Sequence, residues 1–257
     1  MKLVRYAIGG EIAYGVVEEG TTIRRLVGSP FESLATGPIN HPLDRVRLLA
    51  PVEDPQVIGV GLNYVSHIKE SNQVAPTIPM LFMKPGTAVI GPEEPIVYPR
   101  EGKNVHYEGE LAVVIGRKTR RVDEHQALEH VLGYTCANDV SERVIQSAEM
   151  KMGCLLVGKS YDTFCPLGPV IATGLDPTNL DLTTRLNGQV RQQINTSDLL
   201  FSVARLVSYL SQAITLLPGD VIITGTPAGV GPVKPGDVIE VEIFGIGVLR
   251  NPVVAEA

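Results

Sequence analysis

Short runs rich in Val and Ile, each closed within a few residues by Gly or Pro, recur along the whole chain. With 26 Gly and 19 Pro in 257 residues, this punctuation favours many short strands joined by tight turns over long helices. Residues 2–8, 11–18 and 21–27 read as a three-strand meander, and the Pro- and Gly-broken segment that follows reads as a loop to about residue 45. Further strands are expected at 56–61, 105–116, 132–138, 168–173 and 180–186, with short extended pieces between Ala75 and Pro99. Asn187-Gly188 is a hairpin turn, and Pro218-Gly219-Asp220 and Pro235-Gly236-Asp237 each launch an apolar strand. Helices are few. Residues 123–131 form a short one with Asp123 as N-cap, and Asp139 opens a second. Ser202 caps a third, in which Val203, Leu206, Val207 and Leu210 make one apolar stripe belonging to the core. The fold class expected is therefore mainly β with peripheral helices (α+β).

The length suits one domain, or one main domain with a small appendage, and 44% hydrophobic against 19% charged residues describes a globular chain. A net charge of −6, with no basic stripe interleaved with aromatics, argues against a nucleic-acid partner. No apolar run is long enough to span a bilayer, and the start lacks the pattern of a signal peptide. Cys136, Cys154 and Cys165 have no metal-like spacing and read as reduced, mostly buried thiols, so a cytoplasmic protein is expected.

Within this framework, Tyr107 to Ile115 concentrates the chemistry. A strand turns alternate side chains to one face, so Glu108 and Glu110 point the same way, backed by Ala112 and Val114. Two like charges against a buried surface repel, and one is pushed neutral unless a cation lies between them. A hard divalent metal satisfies that demand, and a solvated acidic strand edge satisfies it equally. Asp139, at the end of an apolar strand, fits either an oxygen-rich metal site or a plain helix N-cap.

Other residues are ambiguous one at a time. His67 and Glu70 are three apart, a helical spacing at which a carboxylate raises the basicity of an imidazole, but surface pairs of this kind are common. Lys159 sits among small apolar residues and needs an anionic partner or a path to solvent. Arg143 and Gln146 follow Asp139 at helical spacing, and solvent exposure explains them equally well. Thr226 lies in a Gly-rich loop that lacks the Gly-Lys-Ser/Thr ending of a P-loop; its hydroxyl and the loop amides can bind a carboxylate or simply make a tight connection.

In order and with matching spacing, GLNYVSHIKE, LFMKPGTAV, HYEGELAVVIG, GYTCANDVSERVIQ, GKSYDTFCPLGP, LNGQVRQ and TGTPAGVGPVKPGD resemble the fumarylacetoacetate hydrolase family over roughly residues 56–250. The resemblance implies a mixed β-sandwich roll at 51–257 preceded by a small N-terminal β domain at 1–50, and a homodimer. It implies Mg2+ or Mn2+ held by Glu108, Glu110 and Asp139, with His67 and Glu70 as a water-activating dyad on a lid. Lys159, Arg143, Gln146 and Thr226 then correspond to oxyanion-stabilising or substrate-facing positions. The fumarylacetoacetases proper have a further aspartate ligand and a tyrosine upstream of the histidine, where this chain has Val60-Gly61-Leu62-Asn63-Tyr64. It looks closer to shorter members acting on acylpyruvates, oxaloacetate or hydroxymuconate-type diacids.

Such a site suits a small 2-oxo acid, which chelates a metal through its carboxylate and keto oxygens and gives an enolate that the metal stabilises. The leading expectation is C–C bond cleavage of a 2-oxo or 2,4-dioxo acid by hydrolysis or decarboxylation. The alternative is isomerisation or tautomerisation of an unsaturated 2-hydroxy diacid, and a third is a ligand-binding member without turnover. Specificity is expected in the lid and loop residues 68–80.

Overall fold

The computed structural model describes residues 1–70 and 73–257, and Ser71 and Asn72 of the expected lid lie outside the described residues. Strand is the predominant regular structure, as the punctuation requires, and the strands form two main sheets. The larger has twelve strands. Its main path runs Thr36–Pro42, Thr22–Leu26, Glu11–Glu18, Lys2–Ile8, Cys165–Ala172, Val131–Asn138, Gly109–Ile115, Val221–Ile223, Val57–Gly61 and Met80–Lys84. The second has five, in the order Gln189–Asn195, Asp181–Leu186, Val238–Ile243, Gly247–Ala255 and Ile96–Tyr98. A three-stranded patch joins Ser141–Glu142, Val105–Tyr107 and Gly231–Pro232.

The strand Gly109–Ile115 is buried on both faces, which explains its unbroken apolar run. Leu111, Val113 and Ile115 pack toward the second sheet with Leu182, Val241 and Leu249. Ala112 and Val114, on the opposite face, join Phe82, Ala137, Leu167 and Ile223. The helix Val203–Ala213 covers the first of these cores with Leu206, Val207 and Leu210, each such burial contributing roughly 1.5–3 kcal/mol. Ser202 caps it as expected, its side chain accepting from the Arg205 amide. The hairpin at Asn187-Gly188 has both residues at positive φ, the geometry that Asn-Gly favours.

Three local expectations are corrected. The supposed loop before residue 45 contains the strand Thr36–Pro42, which pairs with Thr22–Leu26. As the outermost strand of the sheet it tolerates Pro38 and Pro42, because one side of an edge strand makes no ladder bonds. The expected single strand 105–116 divides at Glu108, whose amide donates to the Asn138 side chain instead of a neighbouring strand. The helix after Asp139 starts only at Arg143, and Glu142 caps it by accepting from the Ile145 amide. Asp139 is thereby released from the N-cap role and turned inward.

Candidate active site

Antiparallel pairing of Gly109–Ile115 with Val131–Asn138 sets Gly109 opposite Asn138. The residues just before the first strand and just after the second therefore meet at one edge, and the Asp139 amide donates to the Glu108 carbonyl at 2.8 Å. That register brings Glu108, Glu110 and Asp139 together, one ligand atom of each lying within 4.8 Å of the others. All three are buried, at 5%, 1% and 1% exposure, so the solvated acidic edge is ruled out. Gly109 is required between the glutamates: a Cβ there would lie 2.0 Å from Thr184 Oγ1 of the second sheet.

Burying three carboxylates side by side is unfavourable by several kcal/mol per ion unless charge is matched. Three cations match it. Lys159 Nζ donates to Glu108 Oε2 at 2.7 Å and also to Asp139 Oδ2. Lys84 Nζ donates to Asp139 Oδ1 and, at 3.1 Å, to the Val140 carbonyl. Arg143 reaches the other oxygen of Glu108 and is itself held by Gln146 Oε1 at 2.7 Å. Burial opposes ionisation of Glu108, but Arg143 and Lys159 outweigh it and hold that carboxyl far below the usual range. Among the described residues Glu110 forms no ion pair, and Lys159 acts on it only at longer range. Burial, with Asp139 and Glu108 beside it, pushes its carboxyl well above the ordinary value despite a 2.6 Å bond from the Gly225 amide. For Lys159, burial again disfavours charge, and Asp139 and Glu108 more than restore it.

These groups floor a cavity of about 260 Å³. Gln146 and Thr226 line it beside the charged cluster, and Phe82, Leu155 and Met150 supply an apolar wall. His67 enters from the helix Val65–Glu70, whose start is tied down by the Ser66 amide donating to Asp198. The His67 ring lies 3.4 Å from Glu70 Oε2, an oxygen that also accepts from the Gly229 amide at 3.3 Å. Eight of the nine residues singled out from the sequence line this one cavity, and the ninth, the half-exposed Glu70, stands beside it against His67. Thr226 is less free than expected, since its hydroxyl donates to the Gly109 carbonyl and accepts from Gln192.

Sequence reasoning missed three residues that hold the site. Lys84 is one, 1% exposed. Its signal was alternation in Leu81-Phe82-Met83-Lys84, which places it on the buried face with Phe82. Gln192 accepts from the Gly109 amide and donates to Thr226 and Pro227, fastening the second sheet to the carboxylate strand. Asn63 donates to the Phe201 and Thr224 carbonyls and accepts from the Phe201 amide, fixing the end of Val57–Gly61 against the Gly-rich loop.

The carboxylate of Glu149, on the same helix as Arg143, accepts from the amides of Leu156, Val157 and Gly158. Burial works against its charge, but these three bonds outweigh it and depress the carboxyl below its ordinary value. A depressed folded value adds stability that is full above the unfolded value, near about pH 4.3, and is lost as pH falls through the folded one. E149Q is therefore expected to flatten the acid side of the stability profile below about pH 4.3, as read by urea unfolding at stepped pH.

An all-oxygen set of buried carboxylates with no His or Cys suits a hard divalent cation. Buried carboxylates, a buried ammonium and the His67 imidazole thus face one compartment. The model for the fumarylacetoacetate (FAA) hydrolase C-terminal family matches residues 56–254, and a second, Rv2993c-like N-terminal, matches residues 1–51. The chain belongs to the fumarylacetoacetate hydrolase family. It is 53% identical to an uncharacterized protein of Archaeoglobus fulgidus over 83% of this chain and 84% of that one. It is 44% identical to the mitochondrial oxaloacetate tautomerase fahd2 of Xenopus laevis over 83% and 71% of the two chains. Among solved structures, a 5-carboxymethyl-2-hydroxymuconate delta-isomerase from Mycobacterium smegmatis is 46% identical and superposes over the full length of both chains with a TM-score of 0.92.

Proposed function

We propose that this protein converts a small 2-oxo acid through its enolate, with Mg2+ or Mn2+ held by Glu108, Glu110 and Asp139. Tautomerisation or double-bond migration is the outcome best supported. The observation that carries the reading is the charge balance of the buried cluster: three carboxylates are matched in number by Lys84, Lys159 and Arg143, which pair with Asp139 and Glu108 and leave Glu110 outside these ion pairs. A divalent cation added to that balance leaves two positive charges, which a carboxylate plus an enolate oxygen would match. When bound, the cation supplies Lewis-acid stabilisation of the charge that develops on oxygen.

The chain's own residues then divide the work. His67, with Glu70 beside it, takes a proton from the carbon next to the keto group and returns it at another carbon in double-bond migration, or to the enolate oxygen in keto–enol exchange, the reverse direction running through the same steps. Lys159 stays buried against Glu108 and Asp139, where its ammonium faces the enolate oxygen at low dielectric. Arg143 and Gln146 hold the carboxylate end, and the apolar wall keeps water from the carbanion. One base and no attacking water complete a tautomerisation, which agrees with the names of the Xenopus and Mycobacterium relatives. C–C cleavage by hydrolysis or decarboxylation is the second reading, because the same His67–Glu70 pair can activate a water. The test is a panel of enol-oxaloacetate, acylpyruvates and unsaturated 2-hydroxy diacids with Mg2+, followed by absorbance and mass. Isomeric products support the first reading and shorter acids the second; no turnover of any of them rejects both.

We further propose a cytoplasmic homodimer. Free thiols at Cys136, Cys154 and Cys165 suit a reducing compartment. Met83, Leu156 and Val157 are 46%, 54% and 50% exposed around one apolar cleft beside the edge strand Met80–Lys84, a surface that a second copy would cover. L156E is expected to shift the protein to monomer in sedimentation, and an unchanged sedimentation coefficient would reject this face.

A further inference from the structure

Glu149 is a buried carboxylate that accepts from three successive backbone amides: Val157 N at 2.7 Å to Oε1, and Leu156 N at 3.1 Å and Gly158 N at 3.0 Å to Oε2. Three donors around one carboxylate satisfy most of its acceptor capacity and fix the path of the turn that makes them. The Glu149 carbonyl closes the same connection by accepting from the Met152 and Cys154 amides. From the other side, Gly158 is pressed against the helix so closely that a Cβ there would lie 2.6 Å from the Gln146 amide. The turn is thus clamped to the helix Arg143–Lys151 at two points.

The next residue is Lys159. From that clamped turn its side chain passes within 4.9 Å of the Phe82 ring centroid and puts Nζ between Glu108 and Asp139. We infer that Glu149 is the positioning residue for Lys159: it holds the ammonium in the carboxylate cluster without touching the cluster itself. The inference rests on the proposed reading of Glu108, Glu110 and Asp139 as a cation site. On this account one helix carries Arg143 and Gln146 to the cavity and, through Glu149, sets the place of Lys159.

The position of the ammonium has a consequence that can be read without turnover. A cation held between Glu108 and Asp139 competes with any second cation, so releasing it strengthens Mn2+ binding, whereas general loosening of the site weakens it. K159M and E149A are each expected to bind Mn2+ about tenfold more tightly in calorimetric titration, with the double variant no tighter than K159M. Turnover of the best 2-oxo acid should fall about 10- to 100-fold in E149A, in kcat more than KM. E149Q, which keeps one acceptor oxygen, should move both readouts in the same directions by less. If E149A does not fold, E149Q carries the same comparison. Unchanged or weaker Mn2+ binding in a folded Glu149 variant, or affinity gains that multiply in the double variant, would overturn the inference. If K159M alters both readouts and Glu149 variants alter neither, only the role of Glu149 falls. If K159M alters neither, the reading of the cation site falls with it.

Discussion

Replacing Asp139 by Ala is expected to destabilise the protein by about 3–5 kcal/mol and to abolish high-affinity Mn2+ binding. The carboxylate touches two buried ammonium groups, Lys84 through one oxygen and Lys159 through the other. Removing it leaves Lys84 without its ion-pair partner and Lys159 with Glu108 alone, and a buried ion without its partner is penalised by several kcal/mol. Lys84 loses more, because it is left with a neutral acceptor, the Val140 carbonyl, while Lys159 keeps a carboxylate. D139N tests the division of these effects. It keeps an oxygen for one lysine, so it should lose less stability while still losing Mn2+ affinity. Urea unfolding gives the first quantity and calorimetric titration the second. A D139A protein as stable as wild type would contradict the charge balance on which the proposed function depends.

Replacing His67 by Ala is expected to have the opposite profile. The ring lines the cavity and stands against the half-exposed Glu70, away from the buried ion pairs of the carboxylate cluster. Stability should change little, and Mn2+ binding should stay within about twofold of wild type, since surface and rim substitutions have small effects. Turnover should fall about 10²- to 10⁴-fold, the range lost when a positioned general base is removed. E70Q should lose less, because it keeps a bond to the ring and to the Gly229 amide. Unaltered kcat in H67A would remove the pair from the mechanism and leave the carboxylate cluster as the whole of the site.

The contrast between these variants mirrors what could be read from the chain by itself. Glu108 and Glu110 were legible as a pair because a period of two beside an apolar run forces both carboxylates to one buried face. The cations that neutralise them were harder to find. Arg143 comes 35 residues after Glu108 and Lys159 another 16 on, so only the folded register of Gly109–Ile115 with Val131–Asn138 says that they meet. Lys84 was visible in principle as a lysine on the inward side of a strand, yet its partner could not be named without the sheet order. Asp139 was ambiguous for a local reason: a carboxylate before a polar helix looks like a cap until Glu142 is seen to do that work. The strand Thr36–Pro42 was hidden by its prolines, which mean one thing in a loop and another at a sheet edge.

Charged with a divalent cation, the carboxylate cluster is proposed to make enolates of 2-oxo acids. Proton NMR in D2O measures this directly as exchange of the C3 protons of oxaloacetate. With Mg2+ the protein should exchange them faster than Mg2+ alone, EDTA should abolish the excess, and added Mg2+ should restore it. Exchange no faster than with Mg2+ alone, or an excess that survives EDTA, would contradict the account.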